Sequence, residues 1–241
     1  MKRYERQIIM PEIGIFGQLK LGNAKVLIIG IGGLGCPVLQ NLAAVGVGKI
    51  GIVDGDVVDE TNLHRQFLYS LSDCGRSKVA VANEVVSKQN PETNIIQYSE
   101  YFSKQNSLEI VSDYQIIVDC SDNIATRYLI NDVAVAKGIP MVYASIHKFE
   151  GQLSVFNYQG GPTYRCLFPE DERAEAIPSC NDSGVLGVMP NILGTLQANE
   201  VLKIILGIGE VLSNKLMLYN SLDNNFQIIE IQINKKLRSN I

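Results

Sequence analysis

The sequence contains no C-x-x-C pair, no signal-like apolar segment at its start and no excess of basic charge. Each absence narrows the function. The five cysteines, Cys36, Cys74, Cys120, Cys166 and Cys180, are scattered and odd in number, which argues against a disulfide framework and for a reducing, cytoplasmic setting. The opening residues MKRYERQIIMPEIG carry charge but lack the apolar core of a secretory signal. The longest apolar stretches are strand-length or broken by Gly and Asn, so no membrane span is expected. A formal net charge of -4 gives no reason to expect nucleic-acid binding.

What is present reads as an ordinary globular chain: 241 residues, 46% hydrophobic and 19% charged, with no repeat or low-complexity linker. Residues 25–30 (KVLIIG) form a continuous β-branched run ending in glycine, the pattern of a strand buried on both faces of a parallel sheet. A helix over about 34–45 and a second buried strand at 49–54 complete a βαβ unit. Alternation continues with helices near 77–89, 103–112 and 124–137 and strands near 94–98, 115–119 and 140–145. The expected fold is α/β: a Rossmann-like, doubly wound, mostly parallel sheet. After Gly151 the style changes to an alternating, half-exposed strand at 152–158, an irregular stretch at 160–183, an apolar helix at 190–206 and strands near 215–219 and 226–233. These form an antiparallel C-terminal extension. One domain over 1–241 is expected, with a nucleotide-binding half at about 1–150 and a partner-binding half at about 151–241.

Gly30-Ile31-Gly32-Gly33-Leu34-Gly35 matches G-x-G-x-x-G between a strand and a helix, with Asp54 ending the next strand. Such glycines permit a tight turn and let backbone N–H groups approach a phosphate, while the acid accepts from ribose hydroxyls. The motif alone leaves NAD and ATP open, and an NAD-dependent oxidoreductase is one alternative. Downstream lie Asp56, then Asn62, Arg65 and Gln66, then Arg76 and Lys78. A triphosphate carries about four negative charges, and its α-phosphorus is attacked only once they are neutralised. Arg and Lys supply that charge and Asn orients an oxygen, so the set favours a triphosphate. Asp122, in DCSDN at the end of the 115–119 strand, suits Mg²⁺ held against phosphates; its competing use is as a helix cap, a duty Asp119 and Asn123 could share.

Taken in order, RYERQI (3–8), IIGIGGLG (28–35), VDGDVVDETNLHRQ (53–66), SKV (77–79), DCSDN (119–123) and SCNDSGVLGVMPNILGTLQANEVLK (179–203) resemble the ThiF/MoeB/HesA adenylyltransferases, relatives of ubiquitin-activating enzymes. The resemblance spans nearly the whole chain. It implies a homodimer that binds Mg-ATP and adenylates the C-terminal Gly carboxylate of a ubiquitin-like sulfur carrier, ThiS- or MoaD-like, for thiamin or molybdopterin biosynthesis. It also implies that Arg6 reaches the neighbouring subunit's phosphates. By the same matching, Gly32 lies at the phosphates, Asp54 at the ribose, Asn62, Arg65, Gln66 and Lys78 around the phosphate chain, and Asp122 at the magnesium. A carboxylate is already ionised at neutral pH, so no general base is needed and His64 and His147 are read as structural or rim residues.

The sequence departs from many relatives where two C-x-x-C pairs hold a zinc. Thr163 stands in the first pair opposite Cys166, and no second pair follows the last strand. One thiolate cannot make the tetrahedral site, and no zinc is expected. Cys180 matches a thiol that can bond to the carrier during sulfur transfer, yet no neighbouring cation in sequence lowers its pKa. The alternatives for it are a covalent role and an idle loop thiol. A relative adenylating a peptide or tRNA carboxylate is the second alternative for the whole chain.

Overall fold

The computed structural model describes residues 2–169 and 184–234. Eight strands form one sheet in the order β3-β2-β1-β4-β5-β6-β7-β8. The parallel part comprises β1 (Lys25–Ile29), β2 (Lys49–Val53), β3 (Asn94–Tyr98), β4 (Ile116–Asp119) and β5 (Met141–His147), and the antiparallel extension β6 (Glu150–Phe156), β7 (Lys215–Asn220) and β8 (Asn225–Glu230). The order reverses between β1 and β4. That reversal opens a crevice at their carboxyl ends, where ligands bind in such sheets.

The β-branched runs work as the pleat requires. In β1, Val26 and Ile28 enter one apolar cluster while Leu27 and Ile29 enter the other, on the opposite face. The first face is covered by α2 (Gly14–Asn23), α3 (Gly35–Ala44), α4 (Lys78–Gln89) and α8 (Val188–Leu206). The second is covered by α5 (Ser107–Val111), α6 (Ile124–Lys137) and the single turn α7 (Tyr164–Leu167). Among the described residues no helix is long and apolar enough to cross a membrane.

Two expectations need correction, and two helices were not among the expected elements. The N-terminal helices α1 (Glu5–Ile8) and α2 were not foreseen. Gly14, Gly17 and Gly22 depress the local helix propensity of α2. Tertiary contacts overrule that: Gln7 and Gln18 both donate to the Val45 carbonyl, at 2.8 and 3.1 Å, and tie α1 and α2 to the end of α3. Strand β6 is not half-exposed, because α8 covers Leu153 and Val155 while Tyr143 and Tyr164 pack against Phe156 on the other side. The helix expected over 103–112 shrinks to Ser107–Val111, with Asn106 holding the preceding turn by accepting from the Ser103 amide.

Candidate active site

A cavity of about 620 Å³ opens over the carboxyl ends of β1, β2 and β4. Its floor is the glycine turn. Gly30 has φ +91°, and a Cβ there would lie 2.7 Å from the Cys120 carbonyl oxygen, so the turn and the end of β4 touch backbone to backbone. A Cβ on Gly32 would project into the cavity and meet only Gln66 Nε2, at 3.4 Å. The Ile31 peptide is fixed at both ends: Asp54 Oδ2 accepts its N–H at 2.8 Å, and the Tyr69 hydroxyl donates to its carbonyl at 2.7 Å.

Asp54 therefore has a structural duty that the sequence did not reveal. Its second oxygen accepts from the Asp56 amide at 2.8 Å. Burial raises the pKa of its carboxyl, with Lys78 pulling the other way. Asp56 faces the opening, accepting from Lys78 Nζ at 2.8 Å and from the Tyr101 hydroxyl at 2.7 Å. Burial pushes Asp56 up, but these hydrogen bonds outweigh it and the net shift is downward. The bridge thus adds stability above the ordinary carboxylate pKa of about 4 and loses it as pH falls through the lowered value. Comparing Asp56→Asn with the parent across pH 2 to 7, the stability gap should close on the acid side; a gap constant with pH would refute the bridge.

Lys78, the first residue of α4, is almost entirely buried. A cation in the first turn of a helix opposes the helix dipole, so its position answers to the cavity rather than to the helix. Residues 58–76 form a loop whose ends are joined by the Val57–Ser77 bridge and by Val58 N–H to the Arg76 carbonyl at 2.8 Å. That loop carries Asn62, whose Oδ1 accepts from Arg65 Nη2 at 3.1 Å and Gln66 Nε2 at 2.9 Å. Arg65 and Gln66 are thereby aligned on one wall, with His64 Nε2 2.7 Å from Arg65 Nη1 at the rim. Arg76 is absent from this wall: it pairs with Asp73 and Glu84 on the surface.

On the facing wall, Asn123 caps α6 by accepting from Thr126 N–H at 2.8 Å. Capping is therefore done by Asn123, and Asp122 lines the cavity with no hydrogen bond or ion pair among the described residues. Arg127 and Tyr101 are among the lining residues that the sequence does not single out. Arg127, in the second turn of α6, stands close after Asp122, and that adjacency was its only signal. Tyr101 follows β3 on the ligand edge, and its ring lies 3.0 Å from where a Cβ on Gly55 would sit.

Of the residues expected at the site, Gly30, Gly32, Gly33, Asp54, Asp56, Asn62, Arg65, Gln66, Lys78 and Asp122 line this one cavity. Gly35 sits just behind it, at the start of α3. Arg6 does not reach it; it lies exposed on α1. Cys180 and the rest of the 170–183 part of the irregular stretch lie outside the described residues. Thr163 is buried, 3.4 Å from Cys166 Sγ, and among the described residues no three His, Cys, Asp or Glu side chains cluster to hold a metal.

The family model described as the ThiF family matches residues 4–239. The chain belongs to the ThiF family. The resemblance read from its motifs is borne out over almost its full length. This ThiF-family chain is 47% identical over 230 residues to a Xenopus laevis protein named adenylyltransferase and sulfurtransferase MOCS3, covering 95% of this chain and 51% of that one. It is 44% identical over 241 residues to a Thermus thermophilus protein named sulfur carrier protein adenylyltransferase, covering 98% of this chain and 89% of that one. The chain spans about half the length of the MOCS3 relatives it matches. Its fold is that of Escherichia coli MccB solved with ATP, at a TM-score of 0.84 and 25% identity, covering 97% of this chain and 72% of that one.

Proposed function

We propose that this chain uses ATP to adenylate the C-terminal Gly carboxylate of a ubiquitin-like sulfur-carrier protein, releasing pyrophosphate, for thiamin or molybdopterin biosynthesis. The 44% identity to a named sulfur carrier protein adenylyltransferase over nearly the whole of both chains carries the reading. The cavity's chemistry agrees with it. An ionised carboxylate needs no base to attack the α-phosphorus, only alignment and charge neutralisation. The Gly32 turn would receive phosphate oxygens, Asp54 and Asp56 mark the ribose end, and Asn62, Arg65, Gln66 and Lys78 lie along the phosphate chain. Asp122 would hold Mg²⁺, a role that fits a cavity carboxylate with no hydrogen bond or ion pair among the described residues. Bound magnesium would neutralise phosphate charge and ease the departure of pyrophosphate.

Among the described lining residues, three cations (Arg65, Lys78, Arg127) face four carboxylates (Asp54, Asp56, Asp59, Asp122). That balance does not favour a polyanion by itself. It supports both the metal and an added cation, and Arg6 of a second subunit in a homodimer is the proposed source. Mixed Arg6→Ala and Lys78→Ala chains are each expected to be inactive alone. Together they should recover about a quarter of parental activity, because random pairing makes half the dimers mixed and each mixed dimer has one intact site. Absence of recovery after verified subunit exchange would rule out action across the interface.

The direct test is ATP–pyrophosphate exchange with ThiS-like and MoaD-like carriers supplied separately, each beside a version lacking its terminal Gly. Exchange that requires one intact carrier is the expected result, and the carrier that supports it identifies the pathway. Tight ATP binding without exchange on either carrier would refute the proposal.

A further inference from the structure

The residues flanking Asp122 are held by side chains from three separate elements. The Asp119 carboxylate is fully buried at the end of β4, and its Oδ1 accepts from Ser121 N–H at 3.0 Å and Ser121 Oγ–H at 2.6 Å. Arg127, from α6, donates from Nη2 to the Ser121 carbonyl at 3.2 Å. Its Nε lies 3.8 Å from Asp119 Oδ2, and its guanidinium lies 5.6 Å from the centre of the Tyr143 ring. Gln197, fully buried on α8, donates from Nε2 to the Asp119 carbonyl at 2.8 Å and to the Val142 carbonyl at 3.2 Å, while its Oε1 is 3.7 Å from Cys120 Sγ. Asn123 completes the set as the cap of α6.

Side chains thus hold the Asp119 carbonyl, the Ser121 amide, hydroxyl and carbonyl, and the Asn123–Thr126 corner. Asp122, in the same turn, lines the cavity with no hydrogen bond or ion pair of its own among the described residues. Hydrogen bonds made by buried polar groups hold those groups in one arrangement; Asp119 Oδ2 makes none among the described residues and meets Arg127 Nε only as an ion pair at 3.8 Å. Asp119 and Gln197 lie below the turn, where packing hides them from a ligand.

We propose that Asp119, Arg127 and Gln197 are positioning residues that fix the turn after β4 and so set the place at which Asp122 meets a divalent cation. This rests on the reading of Asp122 given above. Such supporting partners typically govern metal affinity by about ten- to a hundredfold. The three reach the turn from β4, α6 and α8, so the helix of the C-terminal half helps to order the nucleotide half.

Binding of Mn²⁺, followed by electron paramagnetic resonance in the presence of an α,β-methylene ATP analogue, tests this without turnover. Asp119→Asn and Gln197→Met should raise the half-saturating Mn²⁺ concentration about tenfold and leave metal-free analogue affinity within about twofold. Folding is checked by thermal melting; if Gln197→Met does not fold, Asp119→Asn and Arg127→Gln carry the test. Parental Mn²⁺ half-saturation in folded variants would overturn the proposal. Arg127→Gln that left Mn²⁺ binding intact and raised only the carrier KM would remove Arg127 from the set and mark it as a substrate contact. Asp122→Ala in the same assay separates the two layers. If it leaves Mn²⁺ binding unchanged, the assignment of Asp122 itself fails. If it abolishes binding while Asp119→Asn and Gln197→Met do not weaken it, only the positioning role fails.

Discussion

Lys78→Met is expected to lower pyrophosphate exchange by about a hundred- to a thousandfold, the cost typical of removing one preorganised charge-stabilising group from a water-poor site. That corresponds to about 3–4 kcal/mol of transition-state stabilisation. Methionine keeps the packed stem of a side chain that is only 7% exposed, and removes the ammonium. The partner left behind, Asp56, is about half exposed and keeps its hydrogen bond from Tyr101, so solvent can stabilise it and the fold should persist. The defect should fall mainly on kcat if Lys78 acts on charge that develops as pyrophosphate leaves, and mainly on the ATP KM if it only anchors the ground state. A folded Lys78→Met variant within tenfold of the parent would show that the buried lysine serves the Asp56 bridge alone.

How far the site was legible depends on whether its parts are contiguous in sequence. The glycine turn, the end of β2 and the DCSDN turn each combine a strand ending with its functional residues in one segment, so pattern and chemistry reinforce each other. Asp54 shows the limit. Its place at the strand end was readable, but its use in fixing the Ile31 amide depends on how tightly the turn folds back. The same holds for Arg76 and Lys78, two cations two residues apart. A helix start rotates one outward to Asp73 and Glu84 and the other inward to Asp56, and sequence spacing alone does not give that rotation. Gln197 lies 78 residues from Asp119 and within an apolar helix, where a single amide reads as noise until the strand ends are placed beneath it. Strand β6 misled for a related reason: its polar residues Gln152 and Ser154, alternating with Leu153 and Val155, suggest a solvent face, yet Ser154 is buried with its hydroxyl donating to the Lys215 carbonyl at 2.7 Å.

Gly35→Ala should cost both nucleotide binding and stability, although it adds one methyl group to the first residue of a helix. A Cβ at this position would run into the Gly30 carbonyl oxygen, a backbone atom that cannot rotate away. The collision can be relieved only by opening the turn from Gly30 to Gly35. That turn is held by Gly30 N–H to the Val53 carbonyl at 2.8 Å, Ile31 N–H to Asp54 at 2.8 Å and Cys36 N–H to the Gly32 carbonyl at 3.0 Å. Overpacking of this kind costs about 1–3 kcal/mol, or roughly 2–12 °C of melting temperature for a chain of this size. ATP affinity should fall at least about tenfold, since the amides proposed to receive the phosphates move with the turn. Gly22→Ala in α2 is the control: nothing lies within 4 Å of its Cβ position, so helix propensity should leave stability unchanged or raise it by up to about 1 kcal/mol. Isothermal titration with ATP and thermal melting of the two variants distinguish the cases. If Gly35→Ala binds and melts like the parent, the turn yields more easily than its backbone contacts imply. In that event the glycine is kept for the helix–strand junction and has no part in shaping the proposed phosphate site.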